Sequence, residues 1–173
     1  MISSKHILSL RLLHWLMALM FASLIFAGLT MVQSLATWQP SLLMLHKSFG
    51  LLALLLFFVR LIIKLTNKQI LPELEIAPIQ KRAAHLVHFL LYCLMLLIPV
   101  SGFLSQYFAS KPISFFGLFK IGVSSETNIV LFSVFRESHS LLVGLFVVLI
   151  LMHSGAALYH HFIAKDDTLK RML

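Results

Sequence analysis

Four long apolar runs separated by polar stretches organise the chain: residues 7–32, 42–63, 83–107 and 138–163. Each is long enough to cross a hydrocarbon core about 30 Å thick at about 1.5 Å of helix per residue. None alternates with the period of two that a strand would show. Inside lipid every backbone N–H and C=O must be paired within its own segment, so the four runs predict helices. The predicted fold is all-α, a four-helix transmembrane bundle in a single domain over residues 1–173. The first run has the apolar character of a secretion signal. Its length, the presence of Arg11 and His14 within it, and the three spans after it predict that it is retained.

The connections differ in kind. Residues 33–41 form a tight turn whose Trp38 and Pro40 suit a membrane interface. The middle connection, residues 66–82, holds Pro72, Pro78, Glu73 and Glu75 and reads as a linker with no catalytic pattern. Residues 110–137 form the longest stretch between spans. There Phe115, Phe116, Leu118 and Phe119 are expected to lie in the headgroup region as an interfacial cap, with substrate docking as the alternative. No internal repeat or low-complexity tract is present.

Composition agrees with a membrane protein: 60% of the 173 residues are hydrophobic, 12% are charged, and mean hydropathy is +0.95. The net charge of +8 would raise the question of nucleic acid in a soluble protein, but its placement points to topology and to lipid as the surrounding partner. Ten of the fourteen basic residues fall on one side: Lys5, Arg11, Arg60, Lys64, Lys68, Lys81, Arg82, Lys165, Lys170 and Arg171. Only Lys47, Lys111, Lys120 and Arg136 belong to the other side. By the positive-inside rule both termini and the middle connection are expected in the cytoplasm. The single cysteine, Cys93, excludes a disulfide framework and a thiolate cluster.

The histidines carry the chemistry. His139 and His153 lie fourteen residues apart with only uncharged residues between them. Fourteen steps end about 40° short of four turns, so both rings share a helix face about 21 Å apart, one towards each membrane surface. His46 enters its span from the same side as His139, and His14 lies at the level of His153. Each couple is therefore placed to grip one iron, which points to two stacked haems. With no Cys-x-x-Cys-His in the chain they would be b-type. A lone intramembrane histidine often only bonds a neighbouring helix, and it is the pairing that argues for ligation.

The same interval places the supporting residues. Fourteen beyond His14 is Gly28, where a small residue leaves room for a porphyrin at the other level; fourteen beyond His46 is Arg60, which would face the cytoplasmic haem and pair with a propionate. Arg11, one turn before His14, is a second candidate for that pairing, with snorkelling to the surface as the alternative for both arginines. Gly50, one turn after His46, allows close approach. His88 leaves the assignment open, because it also lies at cytoplasmic depth and has Gly102 fourteen residues on. With His85 and Tyr92 it forms a polar stripe that could replace His14 as ligand, bond propionates, or bind a quinone head group, the last two being preferred. His160 and His161 lie where span four leaves the membrane and suit interfacial solvation, while His6 is expected to be exposed.

Several stretches resemble the bacterial cytochrome b561 family: Leu10-Arg11-Leu12-Leu13-His14-Trp15, Leu45-His46-Lys47-Ser48-Phe49-Gly50, Ala84-His85-Leu86-Val87-His88 and the ending from His160 to Met172. The resemblance covers nearly the whole chain. It implies four helices holding two b haems, with His14, His46, His139 and His153 as the matching ligands. Residues 136–140, Arg-Glu-Ser-His-Ser, depart from the family by being more polar. Two axial imidazoles leave no open position on an iron, so electron transfer is the expected role. The expected path runs from a small periplasmic reductant or redox protein, superoxide being one candidate, through the His46/His139 site and the His14/His153 site to ubiquinone or a similar quinone. His85, His88 and His160 are candidates for a proton relay there. The nearest alternative is a membrane-anchor cytochrome b subunit of a dehydrogenase or hydrogenase complex. A histidine-lined transporter is disfavoured because all six acidic residues lie outside the spans or at their ends.

Overall fold

The computed structural model describes residues 4–33, 37–66, 78–166 and 168–169, with the backbone alone for residues 4–8 and 33. The linker residues Lys68, Pro72, Glu73 and Glu75, the side chains of Lys5 and His6, and Lys170 and Arg171 lie outside the described residues. Four helices form: α1 (Ser4–Gln33), α2 (Gln39–Thr66), α3 (Pro78–Phe108) and α4 (Ile129–Tyr159). All four are long and apolar enough to cross a membrane, as the apolar runs predict. Packing joins α1 to α2, α2 to α3 and α3 to α4 in an up-and-down bundle. One end of the bundle, here the terminal end, holds the start of α1 and the finish of α4.

The opposite end departs from expectation. Between α3 and α4 lies a small antiparallel hairpin, β1 (Ile113–Phe115) and β2 (Phe119–Ile121), with Ile113 facing Ile121 and Phe115 facing Phe119. The reversal uses Phe116 at φ 49° and Gly117 at φ 78°, and Leu118 N–H donates to the Phe115 carbonyl at 2.9 Å. Ser48 of α2, fully buried, docks this hairpin: its Oγ accepts from Phe116 N–H at 2.9 Å and stands 3.1 Å from the Ser114 carbonyl. Phe116 also packs edge-on against Phe49 of α2, while Leu118 and Phe119 face outward. The cap is thus half anchor and half exposed apolar surface.

Helix α4 begins at Ile129, nine residues before the expected start of span four at residue 138. The Asn128 side chain caps it by accepting from Leu131 N–H at 3.0 Å, and Arg136 lies over the Phe132 ring. The charges at Arg136 and Glu137, which mark a loop in the sequence, sit inside this helix. His139 consequently lies three turns into α4 rather than near its start.

The buried core is small and sits at mid-bundle: Met17 and Phe21 of α1, Ala53 and Phe57 of α2, Leu94 and Ile98 of α3, and Phe146 of α4. Large apolar side chains such as Phe26, Leu29, Leu141 and Leu151 point outward, as lipid-facing residues do. Phe146 is seven residues from both His139 and His153, so the core fills the layer between the two histidine levels. Phe21 meets Phe146 edge-on there, with centroids 5.1 Å apart.

Candidate functional site

Two histidine couples form at opposite levels. At the hairpin end the rings of His46 on α2 and His139 on α4 have centroids 6.4 Å apart with planes inclined by 76°. At the terminal end His14 on α1 and His153 on α4 stand 6.4 Å apart at 73°. Two ring nitrogens each about 2 Å from a shared metal, with ring centres roughly 1 Å behind them, put the centroids roughly 6 Å apart. Both couples have that separation. His88 of α3 is exposed and approaches His153 more closely, at 5.2 Å between centroids, too near for a ring across the same metal. His85 is exposed one turn before it.

Helix α3 supports the hairpin-end couple through its backbone. His139 Nδ1 stands 2.9 Å from the Ile98 carbonyl and 3.3 Å from Ser101 Oγ. Donation to the carbonyl fixes the tautomer and leaves Nε2 as the acceptor nitrogen, the arrangement a metal-ligating histidine takes. Pro99 follows Ile98 inside α3, and its missing N–H leaves the Met95 carbonyl without its helical partner. A Cβ on Gly102 would stand 3.0 Å from His139 Cε1 and 3.1 Å from Nδ1, so glycine lets the ring lie against α3. The interval of fourteen marks Gly102 in the sequence; its partner proves to be His139. His46 Nδ1 is buried without a hydrogen-bond partner among the described residues, and the Leu24 backbone acts on the ring.

A Cβ on Gly28 would lie 3.7 Å from His46 Cε1, so Gly28 is at the level of the hairpin-end couple. Gly50 faces open space, with nothing within 4 Å of a Cβ. Arg60 lies at the terminal end, where its charge acts on His14, His88 and His153. Its Nε donates to Tyr92 Oη at 3.2 Å, while its Nη1 is buried with no partner among the described residues. Lys64 lies 4.1 Å above the Tyr92 ring. Arg11 is half-buried, one turn before His14.

Beyond α4 the chain takes a π-helical turn, His160–Ala164, and reverses at Lys165 with φ 56°. This returns Asp166 to His160, whose Nδ1 lies 2.5 Å from the carboxylate. The Asp166 carboxyl is held down to about 2 by its bonds to Thr168, first, and to His160. Asp166 is a partner that sequence reasoning missed. Its signal was the turn itself, six residues after His160, inside the distinctive ending.

A membrane-spanning bundle that presents two imidazole couples at opposite depths, with a buried guanidinium beside one, belongs to the class of membrane cytochromes. A family model described as prokaryotic cytochrome b561 matches residues 5–173, and the chain belongs to that family. It is 35% identical over 162 residues to "Cytochrome b561 homolog 2" of Escherichia coli (strain K12), covering 92% of this chain and 86% of the relative. Similarity to "Cytochrome b561 homolog 1" of the same organism is 33% over 170 residues, 93% and 92% of the two chains. A "Probable superoxide oxidase CybB" of Yersinia pestis is 31% identical over 139 residues, 79% and 77% of the two chains. Membership implies b-type haem and electron transfer in a membrane.

The residues present fit that group. Among the described residues no three metal-binding side chains converge as an isolated ion would need, whereas a haem needs only an opposed pair. The orphaned Arg60 Nη1 offers a propionate a donor, and Gly28 and Gly50 leave backbone space beside His46.

Proposed function

We propose that the chain is a di-haem b electron-transfer protein linking a donor at the hairpin end to a membrane quinone at the terminal end, with His46 and His139 as the residues that would hold one haem and His14 and His153 the other. The single observation that carries this reading is the recurrence of one ring separation, 6.4 Å, at both levels of α4. The positive-inside rule makes the hairpin end periplasmic and the terminal end cytoplasmic.

A haem held between two histidines would supply one-electron transfer. The protein's own residues do the rest. The Ile98 carbonyl fixes the His139 ring, and Gly28, Gly50 and Gly102 keep the backbone from crowding the sites. Arg60, with Arg11 beside His14, neutralises propionates at the terminal end. Phe21 and Phe146 exclude water between the levels. Quinone reduction consumes protons as well as electrons, and His85, His88 and the His160–Asp166 pair offer titratable groups at the terminal surface.

The donor side is cationic. Lys47 on α2 and Lys111 before β1 are close enough to act on one another, and Lys120 lies on β2. A small anionic reductant suits that field, and superoxide is the donor we propose, supported by the relative whose printed name is a probable superoxide oxidase. The test is reduction of a short-chain ubiquinone by enzymatically generated superoxide, using the haem-loaded chain alone in lipid nanodiscs. Turnover above protein-free nanodiscs is expected, falling steeply with added salt. Turnover that appears only after adding a dehydrogenase or hydrogenase partner would establish the anchor-subunit role instead.

A further inference from the structure

The two histidine couples are held in unlike surroundings. At the hairpin end His139 donates from Nδ1 to the Ile98 carbonyl at 2.9 Å, and no cation is among the groups acting on either ring of that couple. At the terminal end Arg60 acts on His14, His88 and His153, it is fixed there by Tyr92, and Lys64 is stacked on the same tyrosine. Among the described residues neither His14 nor His153 is tied to a carbonyl in the way His139 is tied to Ile98.

The two differences act oppositely on the two irons and so widen the gap between the sites in the same sense. A hydrogen bond from Nδ1 to an acceptor makes the imidazole a more basic ligand, which favours the ferric state. A fixed cation disfavours the ferric state, which carries one more positive charge than the ferrous. Pairing with a propionate does not cancel this, because Arg60 then removes a negative charge that would itself favour the ferric state. Lys47 is half-buried at the hairpin end, yet neither it nor Lys111 is among the groups acting on the His46 and His139 rings.

We infer that the Ile98 carbonyl sets a lower potential at the hairpin-end site and Arg60 a higher potential at the terminal-end site, so that electrons pass downhill from the hairpin end to the terminal end. This rests on the two-site reading above and names the groups that set the order of the two potentials. In each transfer the hairpin-end iron goes from ferrous to ferric and the terminal-end iron from ferric to ferrous; no bond forms or breaks. The Phe21–Phe146 layer lies between them.

Potentiometric titration of the haem-loaded full chain, read in the visible bands, tests this. Two components are expected. His14→Leu leaves the lower one and His46→Leu leaves the higher one. Arg60→Met lowers the higher component by about 59 mV or more, a tenfold change for one electron, without moving the lower. Arg60→Lys, which keeps the charge, shifts it less. Gly102→Ala crowds His139 away from the Ile98 carbonyl and raises the lower component. The reverse order in the two ligand variants, or an Arg60→Met chain whose higher component stays in place, overturns the inference while leaving the two-site reading intact. A chain that binds no haem overturns the two-site reading itself.

Discussion

Gly102 shows how much can rest on one missing methyl group. His139 lies so close to it that an added Cβ would meet the ring at 3.0 Å, nearer than side chains ordinarily approach. Gly102→Val should therefore displace His139 and cost the hairpin-end haem, about one of two per chain by haem assay. Gly28→Ala, with 3.7 Å to the His46 ring, should keep both. His88 gives the complementary case. Its ring is too near His153 to share an iron with it, so His88→Gln should retain two haems and slow quinone reduction; loss of a haem in that variant would make His88 a ligand. The glycine interval was readable in the sequence, but the acceptor at Ile98 was not, because a backbone carbonyl is offered by every residue and only the fold decides which one is turned toward a ring.

At the scale of elements, the hairpin and the terminal turn hold chemistry that hydrophobic pattern alone does not reveal. Ser48 is the one side chain on α2 that meets both Phe116 N–H and the Ser114 carbonyl, so Ser48→Ala leaves a backbone donor unpaired beneath a residue at positive φ. The expected cost is about 1–3 kcal/mol of local stability, visible as faster hydrogen exchange over residues 113–121 with the helices unchanged. Three-residue strands are too short to show alternation, and the loop reading of residues 110–137 failed at its second half because Arg136 and Glu137 look like connection while Asn128 in fact starts a helix. At the other end, the Asp166 carboxyl titrates below its unfolded value of 3.8, at about 2. Its bonds to Thr168 and His160 thus stabilise the turn fully above about pH 4 and lose that contribution as pH falls towards 2. Carboxyl chemical shifts in Asp166 and Asp166→Asn chains should place the transition in that window.

For the whole molecule, lipid does the organising. Without water to drive apolar surfaces together, the four helices have little buried core, and outward faces rich in Leu, Ile and Phe meet acyl chains instead. That is why the bundle was legible: twenty or more apolar residues in succession admit almost no other structure in a bilayer. The depth of the four histidines was legible for a related reason, since the helix rise is fixed and fourteen residues on one span convert directly into distance. Which helix packs most against which, and the seating of the hairpin on α2, depend on side-chain shape and could not be read in advance. The account as a whole stands on opposed imidazoles at two levels, each able to hold one haem. Its most direct measurement is the pyridine haemochrome count per chain for the purified protein and for His14→Leu, His46→Leu, His139→Leu and His153→Leu. Two haems in the parent chain and close to one in each variant are predicted; a parent chain with a single haem, or a variant of the four that keeps two with unchanged low-spin spectra, would contradict it.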